Sequence, residues 1–175
     1  GREDFTYDII QELGEVCIHG LAIKPGKPAI LGKVNNKPVI GIPGYPVSAW
    51  VVMENIVKPV VRKAIYKEVN KREIVEATLS KRVMSTLKYE EFVRVKLGLI
   101  NNQYVATPIK RGAGTITTLV NADGIIRVPQ NVEGIEEGEK VDIELLKDIN
   151  EINNTIISIG SHDMVMDIIN DDPKY

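Results

Sequence analysis

Apolar positions along the chain change their spacing several times, and each change marks a different kind of element. Ile9, Ile10 and Leu13 recur at helical intervals ahead of Gly14, which predicts a short helix closed by glycine. From Val16 the apolar runs shorten to residues 16–23, 29–31 and 39–42, the length of strands. Asn35-Asn36 separates the last two, and because asparagine tolerates positive φ the pair predicts a tight hairpin. Residues 47 to about 66 then return to a long helix, with Pro46 as its first residue. Trp50, Val51, Val52, Met53, Ile56, Val57, Val60 and Val61 spread over most of its surface, which predicts burial against a sheet or a partner subunit, with Trp50 in the core. Pro59 lacks a backbone donor and predicts an interior kink.

Charge rises at Arg62-Lys63, Lys67-Glu68 and Asn70-Lys71-Arg72-Glu73, marking a boundary near residue 70. Beyond it, residues 74–79, 91–97, 104–109, 124–129 and 140–146 are short alternating or β-branched runs with polar breaks, the pattern of a small β-barrel. Asn101-Asn102 supplies a second hairpin turn and Glu136-Glu137-Gly138-Glu139 an acidic one. Residues 147–154 read as a polar linker, 155–161 as a buried strand, and 162–169 as a helix capped by Ser161. The expected division is therefore 1–69, α/β; 70–147, β; and 148–175, a linker and the start of a further α/β module.

With 175 residues, 43% hydrophobic and 26% charged, the chain has the composition of one globular domain or two small ones. A net charge of -2 argues against nucleic acid as a partner, since that function leaves a basic face. No run of about 18 apolar residues predicts a membrane span, and no secretory leader pattern opens the sequence, so the expected compartment is the cytoplasm. The single cysteine, Cys17, cannot form an internal disulfide and is expected to be a small buried apolar residue in its strand. The chain opens on Gly1, without an initiator methionine, and reads as a piece of a longer protein.

Two loops carry the candidate chemistry. Lys24-Pro25-Gly26-Lys27-Pro28 holds two cations on a backbone stiffened by proline, and Pro43-Gly44-Tyr45-Pro46 leads into a helix whose first amides belong to Val47 and Ser48. Such a pair can hold an oxyanion or can be two surface turns; the flanking strands favour the first, because open α/β sheets bind ligands at strand ends. No catalytic nucleophile, Cys/His metal cluster or Ser/His/Asp arrangement is evident, which suits a site that works by positioning and charge.

The runs from His19 to Pro28 and from Lys37 to Ala49 resemble the MoeA family of molybdopterin molybdenumtransferases, the E domain of gephyrin, over about residues 1–146. The resemblance implies the C-terminal half of a MogA-like α/β sandwich followed by the family's β-barrel domain. It also implies insertion of molybdate into adenylylated molybdopterin with release of AMP, a homodimer, and magnesium held by residues upstream of this sequence. Molybdate would lie against Lys24, Lys27, Pro28, Ser48 and Arg94, the last through the segment Phe92-Val93-Arg94-Val95. Pro25, Gly26, Pro43, Gly44 and Pro46 would shape the loops. The sequence departs from the family at Arg111-Gly112-Ala113-Gly114-Thr115, where serine is frequent; backbone amides or the Thr115 hydroxyl would substitute as donors. Residues 155–169 resemble the opening of a periplasmic-binding-protein-like module. A scaffold of the same fold and an oxyanion sensor are the alternative functions.

Overall fold

The computed structural model describes residues 5–68, 71–109 and 116–155. The readings placed on residues 110–115, including Thr115, and on residues 156–175, including Ser161, lie outside the described residues.

Helix α1 (Thr6–Leu13) ends at Gly14 and turns into a three-stranded antiparallel sheet of β1 (Glu15–His19), β3 (Ile30–Val34) and β4 (Lys37–Gly41), in the order β1-β3-β4. Asn35 and Asn36 have φ of 49° and 63° and close the β3–β4 hairpin. The helix sits tightly on the sheet because Gly32 has no side chain: a Cβ there would lie 2.5 Å from Ile10 Cγ2. Cys17, expected to be buried, is exposed. β1 is the edge strand and four of its five residues are open to solvent, so strand periodicity did not translate into cover on either face. His19 on the same strand stacks on Tyr7, ring centroids 4.8 Å apart.

The long helix expected from residue 47 is three segments: α2 (Pro46–Val52), a π turn (Met53–Val57) and α3 (Lys58–Ala64). Pro59 is the physical cause. Its ring crowds the carbonyl of Asn55 and it offers no N–H, and the widened turn relieves both while Asn55 Nδ2 donates to Val51 O at 2.8 Å. Only Val47, Val51 and Val52 are buried; Val60 and Val61 face solvent and Trp50 is half-buried, so the helix covers its neighbours with its first two turns alone.

The second unit is a closed barrel of five strands, β7 (Glu90–Ile100), β8 (Gln103–Pro108), β5 (Ile74–Leu79), β11 (Lys140–Leu145) and β9 (Gly124–Val128), with β9 returning to pair with β7. Asn101 and Asn102, at φ of 49° and 61°, make the β7–β8 turn. Short strands β6 (Val83–Met84) and β10 (Gly134–Ile135) pair beside it. Alternation along β7 and β11 sends Val93, Val95, Leu97, Val141, Ile143 and Leu145 into one apolar core. The expected polar linker after Leu146 instead forms α5 (Ile149–Asn153), capped by Asp148. Its Ile152 is buried in the barrel core, Ile149 packs against that core, and its Asn153 accepts a hydrogen bond from Tyr104 Oη at 2.7 Å, so two apolar residues among six polar ones anchor the segment. Among the described residues no helix is long and apolar enough to cross a membrane.

Two of the contacts between the units bear on the candidate site. The two-residue strand β2 (Ile23–Lys24) runs parallel to β7, aligning Ile23 with Glu90 and Lys24 with Glu91. On the outer wall of the barrel, Phe92 and Ile125 pack on Val51, flanked by Ile23, Trp50 and Leu146.

Candidate functional site

Lys24 and Lys27 stand on a loop tied down from three sides. Leu21 N donates to Lys27 O and Gly20 N to Ala29 O, both at 2.9 Å, which closes the turn on itself. The Lys24-Pro25 peptide is cis, and Gly26 adopts a φ of 123°. A Cβ at Gly26 would lie 2.7 Å from Ile23 Cδ1 and 3.3 Å from Val52 Cγ2, so only glycine lets the loop lie this close to α2. Glu90 N donates to Ala22 O at 2.9 Å and binds the loop to the barrel.

The cations of this loop have partners that no local pattern announced. Lys24 Nζ lies 3.5 Å from Glu91 Oε1. Glu91 is 2% exposed, and the same oxygen accepts from Thr86 N at 3.0 Å and Thr86 Oγ1 at 2.9 Å. Lys27 Nζ lies 5.6 Å from the centre of the Tyr89 ring. The hydrogen bond from Lys27 holds the Tyr89 phenol below its ordinary range, with Lys88 and Lys24 adding to the pull. The loop is thus a positive field over the start of β7.

Three residues further along that strand comes Arg94, half-buried, with its guanidinium hydrogen bonded to Thr118 Oγ1 on helix α4 (Ile116–Val120). Burial lowers its pKa from the ordinary arginine value. Helix α4 also touches α2, where Pro46 occupies the first helical position. Pro46 cannot donate, so the orphan amides of the first turn begin at Val47 and Ser48. Gly44 is exposed, with room around its Cα, and Pro43 precedes it. The lysine loop, Arg94 and the start of α2 are therefore carried by elements that meet along β7, and Pro28 flanks the first of them as an exposed wall. Glu91, Tyr89, Thr86 and Thr118 join this group only through tertiary structure; Lys24 and Glu91 are 67 positions apart.

Fixed donors of this kind stabilise a tetrahedral oxyanion without reorganising. Among the described residues no group of three or more His, Cys, Asp or Glu side chains could hold a metal ion. The magnesium implied by the resemblance has no ligand set on these residues, and no step is assigned to it.

Comparison with known proteins agrees in two adjoining regions. Residues 1–63 match a probable molybdopterin binding domain, and residues 76–146 match the MoeA C-terminal region, domain IV. A Methanocaldococcus jannaschii protein named for molybdopterin biosynthesis is 39% identical, covering 83% of this chain and 34% of its own length. The molybdopterin molybdenumtransferase of Bacillus subtilis is 27% identical over 86% of this chain and 35% of its own. A crystal structure of a MoeA protein from Pyrococcus horikoshii superposes with a TM-score of 0.67 at 39% identity, covering 83% of this chain and 35% of that one. The chain spans about a third of the length of the curated relatives it matches.

Proposed function

Because this chain belongs to the MoeA family, we propose that it serves molybdenum cofactor synthesis by holding molybdate for insertion into adenylylated molybdopterin, with AMP released. The observation that carries this reading is the pairing of β2 with β7, which brings the lysine loop onto the strand that bears Arg94. Lys24, Lys27 and Arg94 supply positive charge to the dianion. Ser48, its neighbouring amides and Thr115 supply hydrogen bonds, while Pro25, Gly26, Pro28, Pro43, Gly44 and Pro46 fix the two loops. Glu91 holds the Lys24 ammonium in place. The chain's own residues bind and orient; the bond exchange at molybdenum belongs to the substrates. Magnesium, a cytoplasmic location and the activity of the whole protein are part of the same proposal.

The test is equilibrium binding of molybdate, with phosphate as competitor. Saturable binding is expected, and Lys27→Ala and Arg94→Ala should each weaken it by about ten- to a hundredfold, the range for a lost charge-assisted hydrogen bond. Binding that neither substitution changes would sink the assignment of this site.

The family expectation of a homodimer has separate support. Met53, Val57, Val61 and Ile65 recur every four residues along the π turn and α3, and three of them are exposed large hydrophobics. Sedimentation equilibrium should show a dimer that Val61→Glu weakens; an unchanged mass would remove this stripe as the interface.

A further inference from the structure

Between the helical arm of residues 46–64 and the outer wall of the barrel lies a cleft of about 560 Å³. It includes none of Lys24, Lys27, Ser48 or Arg94. Five cations line it: Lys58, Arg62, Lys71, Arg72 and Arg127. Two carboxylates oppose them. Glu54 is shared between Lys58 and Arg72, the latter at 2.6 Å, and Glu144 pairs with Arg127. Even with Glu90 added, which lies 3.7 Å from Arg127 just outside the cleft, cations outnumber carboxylates by five to three. On a chain of net charge -2 this is a local concentration of positive charge.

The arginines are also ordered in advance. Arg72 lies 4.9 Å from the centre of the Trp50 ring, and Arg127 lies 5.0 Å from that of Phe92. Arg127 further donates to Asn55 Oδ1 at 2.7 Å, from the barrel to the π turn. Stacking and hydrogen bonding hold both planar forks before any ligand arrives, which lowers the entropic cost of binding. Cations spread over both walls of one cleft match a ligand with several separated charges better than a single compact oxyanion.

We propose that this cleft is a second anion site, taking a small polyanion that carries two or more linked phosphates. It goes beyond the molybdate reading and stands independently of it. The chain offers a direct reporter, since Trp50 is its only tryptophan and lines the cleft.

Inorganic pyrophosphate is the first probe, followed by Trp50 emission and by titration calorimetry, with ADP as the second arm to show whether a base adds to the phosphate chain. A saturable change is expected for pyrophosphate. Arg62→Gln and Lys58→Gln should each weaken it by about tenfold, while Lys27→Ala leaves it unchanged. Circular dichroism of each variant confirms that it is folded. ADP binding as tightly as pyrophosphate, or tighter, also agrees. No saturable signal at millimolar pyrophosphate would overturn the proposal, and so would binding abolished by Lys27→Ala but kept in both cleft variants.

Discussion

Truncating Ile143 to alanine is expected to lower the stability of the chain by about 2–5 kcal/mol, the range for deleting a buried aliphatic side chain without collapse of the space it leaves. Ile143 is fully buried in the middle of β11, hydrogen bonded into both neighbours, opposite Val75 on β5 and Ile126 on β9. Its surroundings cannot easily close in, because each of those strands is itself locked into the barrel. One neighbour is special. A Cβ added at Gly124 would lie 2.3 Å from Ile143 Cγ2, so the isoleucine fills the room that the glycine leaves. Gly124→Ala alone should therefore destabilise the barrel by overpacking, while Gly124→Ala together with Ile143→Ala should cost less than the two losses added. Urea unfolding of the four proteins measures the coupling. A loss below about 1 kcal/mol for Ile143→Ala, or strict additivity, would contradict the packing described.

The second large effect is expected at Asp123, which is 4% exposed and holds three donors. Lys147 Nζ lies at 2.8 Å, Lys96 Nζ at 2.9 Å and Leu97 N at 3.0 Å. Burial alone would raise its pKa. The hydrogen bonds from Lys147, Lys96 and the Leu97 amide outweigh burial and hold it below the ordinary aspartate value. Asp123→Ala removes the acceptor from all three at once and should cost about 1–3 kcal/mol near neutral pH, because the buried Leu97 amide is left unpaired while the two part-exposed lysines regain water. The pH dependence has a fixed sign. A depressed folded-state pKa contributes stability that is complete above the unfolded value, near pH 4, and is lost as pH falls through the folded value. The gap in stability between the natural chain and Asp123→Asn should therefore be full at pH 7 and shrink below about pH 4. A gap that stays constant down to pH 2.5 or so would show that the carboxylate's charge contributes nothing.

Much of the fold was legible because it is dictated locally. Asn35-Asn36 and Asn101-Asn102 turn where asparagine tolerates positive φ, Pro46 begins its helix, and the alternation of Val93, Val95 and Leu97 places a strand face in a core. Cys17 was misread for the opposite reason: a strand's apolar residues state its conformation, while burial depends on what lies beside it, and β1 is an edge. The segment after Leu146 was misread because its polar composition hid two anchoring residues, Ile149 and Ile152. Pro59 announced a disturbance of the helix, but its form, a π turn that brings Asn55 to Arg127, depends on the barrel wall opposite. At the candidate site, Lys24 and Lys27 stand out by charge and motif, and Arg94 by the family resemblance. Glu91 was not, because a carboxylate beside Phe92 in a strand looks like any solvated residue until β2 is laid against β7.

That small parallel pairing also limits how the two units can move. β2 is the sixth strand of the barrel's sheet, yet the chain on either side of it belongs to the α/β unit. Rotating one unit against the other would tear a strand out of its sheet and strip the cover from Phe92 and Val51 together. Swinging the lysine loop away from the strand that bears Arg94 would therefore first have to break the β2–β7 pairing.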